Sequence, residues 1–189
     1  MRERAKEVTS DSRNISAPLG VVALVVLLLA GFAVLPRVFK ARDAALVGQI
    51  APDFTLDVVA NDGALGQSGK IKLSELQGKP VLLDFWASWC SACRAQTPLV
   101  DKIAQRYKDR GLVVVGVDTD EPEPQTFPWK AARGLAYPIV FDGANAASAQ
   151  YGVTSLPTLV VVSRSGKVLA VRVGVTDDGE LDALIKQAL

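Results

Sequence analysis

The chain has no histidine, two cysteines and one methionine among 189 residues. Without an imidazole, every Ser-His-Asp or Cys-His catalytic arrangement is excluded, as is every zinc site with an imidazole ligand. Two cysteines make neither a multi-disulfide scaffold nor a four-cysteine zinc site within one chain. Charge is balanced, with 21 Lys and Arg against 20 Asp and Glu, and no basic stripe points to nucleic acid. No internal repeat is present. Hydrophobic residues at 49% and charged residues at 22% exclude whole-chain disorder and collagen-like structure. The length fits one compact domain with an appendage, since single domains cluster at roughly 100–150 residues.

The apolar residues are unevenly spread. No charge occurs between Arg13 and Arg37, and Ala17 to Leu35 is almost continuously Val, Leu, Ala, Gly and Phe. At about 1.5 Å per residue, such a segment is long enough to cross a hydrocarbon core roughly 30 Å thick. It is apolar all round, whereas a buried soluble helix is two-faced and shorter, and Pro18 stands near its start, where a helix tolerates proline. Arg2, Arg4, Lys6 and Arg13 precede the run, and Arg37, Lys40 and Arg42 follow it; that count barely favours an N-terminus inside. A cleaved signal peptide is the alternative, with Gly31-Phe32-Ala33 as a poor cleavage site; an uncleaved anchor fits the length better. Lipoprotein processing is excluded because no cysteine lies near the end of the run. Residues 44–189 carry 14 basic and 16 acidic residues, so the basic excess belongs to the flanks of the anchor.

Beyond a linker, periodicity and turn residues predict an N-terminal hairpin from Phe54–Val59 and Lys70–Leu73, with Asn61-Asp62-Gly63 as turn chemistry. Pro80–Ala87 is an apolar run suited to a strand buried on both faces. A helix follows from Cys90 to Tyr107, with Leu99, Val100, Ile103, Ala104 and Tyr107 on one face, a kink expected at Pro98 and Gly111 as the stop. Leu112–Val117 is predicted as a buried strand and Asp118–Pro124 as an acidic, Pro-rich loop. A helix over Gln125–Arg133, a strand over Tyr137–Phe141 and a short helix over Asn145–Tyr151 follow. Strands Leu159–Ser163 and Val168–Val173, joined at Ser165-Gly166, and a closing helix Asp177–Leu189 complete an α/β sandwich with a mixed sheet.

The chemistry is carried by Cys90-Ser91-Ala92-Cys93, placed between a strand and a helix. Cysteines at i and i+3 at a helix start have side chains on neighbouring faces, within reach of a disulfide. The first also meets the positive end of the helix dipole, which favours its thiolate. Cys90 is therefore the expected nucleophile and Cys93 the resolving thiol of disulfide exchange. The same spacing also fits half of a zinc site or a copper(I) clamp.

The stretch Val81-Leu82-Leu83-Asp84-Phe85-Trp86-Ala87-Ser88-Trp89-Cys90-Ser91-Ala92-Cys93 resembles the active-site strand and helix start of thioredoxins, with Pro98 five residues after the second cysteine. With Ala51-Pro52-Asp53-Phe54 and Leu73-Ser74-Glu75-Leu76-Gln77-Gly78-Lys79-Pro80 ahead of it, the chain resembles the membrane-anchored, extracytoplasmic TlpA/ResA-like branch. That resemblance implies a thioredoxin-like domain over residues 49–189, with an N-terminal hairpin extension. It is preceded by a cytoplasmic segment (1–16), a transmembrane signal anchor (17–36) and a linker (37–48). It implies a cis-proline at Pro157 in Leu156-Pro157-Thr158, with Trp89, Leu156 and Pro157 meeting the substrate. It further implies Asp84 as a buried acid taking the Cys93 proton, although many TlpA/ResA-like members have Asn there. In that group the acid lies after the next strand, and Glu121 in Gly116-Val117-Asp118-Thr119-Asp120-Glu121 is its expected counterpart. Trp86 and Trp89 are expected to wall the disulfide, and Trp129 to pack in the core.

Clients would be proteins with disulfides or thiols, apocytochrome c and oxidase copper-site cysteines being the usual suggestions for such proteins. Electrons would come from a membrane reductant of the DsbD/CcdA kind. No nucleotide, flavin or metal cofactor is called for. Ser91-Ala92 lacks the histidine that stabilises the thiolate of strong oxidants, which argues for the reducing direction. Two rivals remain. Peroxiredoxins share the Ala-Pro-Asp-Phe opening, but the threonine three residues before their reactive cysteine is Ala87 here. A copper(I) delivery module would use Cys90 and Cys93, without the histidine ligand of Sco-type chaperones.

Overall fold

The computed structural model describes residues 20–30, 46–62, 69–119 and 134–189. The chain divides into two units, Met1–Lys40 and Ala41–Leu189. In the first, residues 20–30 form a helix, α1. Among the described residues, no helix is long and apolar enough to cross a membrane. The remainder of the predicted span, residues 17–19 and 31–36, lies outside them.

The second unit is one seven-stranded sheet of order β2-β1-β5-β4-β3-β6-β7. Its elements are β1 (Thr55–Ala60), β2 (Lys70–Lys72), β3 (Val81–Trp86), α2 (Ser91–Tyr107), β4 (Val113–Thr119), β5 (Ile139–Asp142), α3 (Ala146–Gln150), β6 (Thr158–Val162), β7 (Val168–Val173) and α4 (Asp178–Ala188). The central trio β3, β4 and β5 is parallel, while the hairpin strands and β6–β7 pair antiparallel. This is the mixed α/β sheet expected from the pattern, with the hairpin added through β1 to the edge at β5.

Two apolar layers hold the sheet. Because side chains alternate across a strand, Leu82, Asp84 and Trp86 of β3 face one layer with Ile103 of α2 and Leu181 and Ile185 of α4. Val81, Leu83 and Phe85 face the other, with Phe54, Val115 and Tyr151. β3 is buried along its whole length, as its unbroken apolar run requires. Two polar devices fix the helices. Asp177 accepts from the Glu180 N–H at 3.0 Å and caps α4, the usual role of a short acceptor side chain at a helix start. The Tyr107 hydroxyl donates to Asp182 at 2.6 Å, tying α2 to α4.

One expectation changes. Asp118 and Thr119 belong to β4 and are buried; they do not open a solvated loop, because they continue the parallel ladder opposite Trp86, Phe141 and Asp142. Helix α2 runs from Ser91 to Tyr107 with Pro98 inside it, as the sequence pattern expects. The predicted helix over Gln125–Arg133, with Trp129, lies outside the described residues.

Candidate active site

The end of β3 delivers the chain into Ala87–Trp89 and then Cys90, which caps α2. Its sulfur accepts the backbone N–H of Cys93 at 3.1 Å. A hydroxyl or carboxylate ordinarily satisfies this orphan donor at a helix start; here a sulfur does. Cys90 and Cys93 form a disulfide with Cα atoms 5.2 Å apart. Both are buried, at 6% and 2% exposure. In the reduced state the same N–H donor and the helix dipole stabilise a negative Cys90 sulfur, which makes it the attacking group.

Asp84 lies six residues earlier on the face of β3 that carries Leu82 and Trp86, the face that packs against α2. Burial pushes its carboxyl up to about 7, because a charge without water or a partner is costly. Its Oδ1 has no hydrogen-bond donor among the described residues. Such a group holds or releases a proton near neutrality, the range useful for general acid–base work. Tyr137, close enough to feel this carboxylate, is held well above the ordinary phenol range, first by burial and then by the charge of Asp84.

The Leu156–Pro157 peptide is cis, and it enters β6, whose Thr158 pairs with Phe85 at the cysteine end of β3. Pro157 is thus placed beside the loop that bears Cys90. Leu156 is half-buried and Pro157 buried. Trp89 is 59% exposed, so it does not wall the disulfide as expected; Trp86, buried on the same segment, does. The difference follows from position, since Trp86 is the last residue of β3 and points into the core, whereas Trp89 lies in the loop before the cap. A cleft of about 360 Å³ starts at Trp89 and runs past Thr119, Asn145, Thr154 and Leu156. Glu121 lies outside the described residues.

Two site residues escaped the sequence. Val173 and Val175 are 48% and 62% exposed, and the residue between them, Gly174, donates its N–H to the Pro157 carbonyl at 2.8 Å. They flank the bond that ties the end of β7 to the cis-proline. The signal available was weak: a Val-Arg-Val-Gly-Val run reads as the end of a strand, and only the sheet topology brings it to Pro157.

This geometry can be set against known proteins. The model of the AhpC/TSA family matches residues 47–171. The chain belongs to the AhpC/TSA family. Within reach of it are curated relatives named thiol-disulfide oxidoreductase ResA. That of Halalkalibacterium halodurans is 31% identical over 157 residues, covering 82% of this chain and 84% of its own. That of Bacillus thuringiensis is 27% identical over 157 residues, covering 83% and 87%. Among solved structures, a candidate thiol:disulfide interchange protein DsbE from Chlorobium tepidum is 35% identical, with a TM-score of 0.65, covering 75% of this chain and 96% of its own. With a Cys90–Cys93 pair on a thioredoxin-like sheet, this family member is a thiol-disulfide oxidoreductase.

Proposed function

We propose that the chain is a membrane-tethered reductase of disulfides in client proteins outside the bacterial cytoplasm. The observation that carries the reading is the capping contact of Cys90 with the Cys93 N–H, with Asp84, its Oδ1 without a donor among the described residues, on the strand face whose apolar layer includes both cysteines. In the reduced enzyme the Cys90 thiolate attacks one sulfur of a client disulfide. A mixed disulfide forms and the first client thiolate leaves. Asp84 takes the Cys93 proton, and the resulting thiolate attacks the Cys90 sulfur. The second client thiolate leaves and Cys90–Cys93 closes, so two electrons have passed to the client. Protons return to the client sulfurs from Asp84 and solvent.

The tether rests on the uncharged apolar run of residues 17–36 with its basic flanks; in this reading the catalytic domain lies on the oxidising side, supported chiefly by the redox-active cysteine pair. The reducing direction is supported by the absence of histidine between the cysteines. A membrane protein of the DsbD/CcdA kind supplies electrons in this scheme, and the clients are apocytochrome c or the cysteines of an oxidase copper site. Trp89, Leu156, Val173 and Val175 receive the client chain at Pro157, and Glu121 acts as a further acid or base.

Replacing Cys93 with Ala in cells leaves the mixed disulfide unresolved, and envelope proteins captured on Cys90 identify the clients. Failure to capture any of them defeats the client-reductase reading. A reduction potential near about −120 mV, the strong-oxidant end of the scale, defeats the direction. The copper(I) carrier requires a tight 1:1 complex with the reduced chain, which titration decides. The peroxidase reading meets a buried Ala87 where an activating threonine is needed; peroxide consumption without added substrate tests it.

A further inference from the structure

Asp84 is flanked on β6 by Leu159 and on β4 by Gly116. Leu159 is fully buried in the same apolar layer, and Gly116 contributes nothing beyond its backbone. A Cβ built on Gly116 would lie 2.5 Å from Ile139 Cδ1, 3.2 Å from Tyr137 Cε2 and 3.3 Å from Trp86 Nε1. The space a side chain would take is therefore filled by three groups that cover the face of the sheet where Asp84 lies. No φ constraint calls for glycine at this point, because Gly116 is not among the positive-φ residues; the requirement is for room.

We propose that Gly116 is a positioning residue for proton transfer at Asp84: by carrying no side chain it leaves the carboxylate without a partner on β4 and admits Ile139, Tyr137 and Trp86 as its cover. Resting on the reductase reading, this names what makes Asp84 a competent acceptor for the Cys93 proton. A serine or lysine at 116 would offer a donor or a charge to the carboxylate and favour its ionised form, making it a weaker base. The glycine preserves an acceptor whose strength is set by dryness alone. Of the titratable groups nearby, Tyr137 is close enough to feel the Asp84 charge, Cys90 and Cys93 belong to the apolar layer that this face of β3 packs against, and Asp118 follows Gly116 by two residues on β4. The charged groups of α4 are turned to the surface, where Asp178 and Asp182 pair with Lys102, Arg106 and Lys186.

The test follows resolution directly. The reduced full-length chain is mixed with the aromatic disulfide DTNB, and the second, intramolecular release of thionitrobenzoate by Cys93 is timed from about pH 5 to about pH 9, a window that brackets a carboxyl displaced this far from its ordinary range. The step transfers the Cys93 proton to Asp84 and the sulfur bond from thionitrobenzoate to Cys93, so its rate rises with ionisation of Asp84. Ile139→Val removes the atom that a new Cβ would meet, and provides the background. In that background Gly116→Ser moves the midpoint to lower pH by about one unit, because the hydroxyl stabilises the carboxylate, while Gly116→Ala leaves the midpoint in place. If serine does not fold at 116, Leu159→Thr brings a hydroxyl from the β6 flank and predicts the same shift. A merely structural role for Gly116 would change amplitude or stability and leave the midpoint where it was. An unmoved midpoint with a donor on either flank, in a chain whose profile is abolished by Asp84→Asn, overturns the role of Gly116 alone. A midpoint that survives in Asp84→Asn removes Asp84 as the acceptor, and this inference with it.

Discussion

The N–H of Gly174 donates to the carbonyl of Pro157 at 2.8 Å, and this single bond joins the end of β7 to the cis-proline. It sets Val173 and Val175 on either side of the residue bonded to Pro157, where the proposed client chain would lie. Their exposure is useful only if a partner covers it, since apolar area removed from water stabilises a complex at about 25 cal/mol per Å². Replacing both valines with serine is expected to raise KM for a protein client by about tenfold. The Cys90–Cys93 potential should stay unchanged, because a docking residue acts on client binding and not on the sulfurs. Steady-state kinetics together with a redox equilibrium separates the two effects, and an equal loss in potential would contradict a docking role.

Gln96 supports the same segment. It is buried within α2, and its Oε1 accepts the Thr176 N–H at 2.8 Å. Gln96→Ala leaves that N–H without an acceptor in a buried site, which costs about 1–3 kcal/mol. The expected result is a lower midpoint of chemical denaturation and, because Val175 adjoins Thr176, a raised KM with little change in the rate of the chemical step. Unchanged stability would show that water replaces the lost carbonyl.

Much of this site was legible in the sequence because its parts are local. Cys90, Cys93 and the cap they form lie within four residues, and Asp84 announces itself as the lone acid of an apolar strand. The order of strands and helices followed from periodicity for the same reason. What escaped depends on contacts between residues far apart in the chain. Gly116 acquires meaning only from its register against Asp84, and Val173 only from its bond partner's neighbour, Pro157. The charge of Asp118 suggests solvent and hence a loop, whereas pairing on both sides of β4 carries the strand two residues further. Spacing alone puts Trp89 with Trp86 around the disulfide, because it does not distinguish the last residue of a strand from a residue in the loop after it.

The Cys90 cap carries its own prediction. A sulfur that accepts a backbone N–H at 3.1 Å and meets the positive end of a seventeen-residue helix loses its proton below the ordinary thiol value of about 8.5. Alkylation of the reduced chain by iodoacetamide, followed against pH, should therefore show a half-point below that value. The modified residue identified by mass spectrometry should be Cys90. Preferential labelling of Cys93, the less exposed sulfur, would reverse the assignment of nucleophile and resolver.

Asp84 makes stability depend on pH in a direction opposite to that of most carboxylates. Burial raises its carboxyl from 3.8 to about 7 in the folded chain, so the folded state holds a proton that the unfolded state has released. Wherever the folded state binds more protons, stability falls as pH rises. The contribution is fully present below about pH 4, is lost progressively between about pH 4 and about pH 7, and stays lost above. A displacement of about three units at roughly 1.4 kcal/mol each corresponds to about 4 kcal/mol. Asp84→Asn removes this titration while keeping the shape of the side chain. The variant should be more stable than the parent at pH 8 by about 2 kcal/mol or more, part of the gain being offset by the buried amide, and the advantage should vanish near pH 4. Urea denaturation of both proteins, in the oxidised form so that the thiols do not titrate, measures the difference. A stability gap that is the same at both pH values would mean that the carboxyl is already ionised in the folded chain, and Asp84 could then not serve as the acceptor that Cys93 requires.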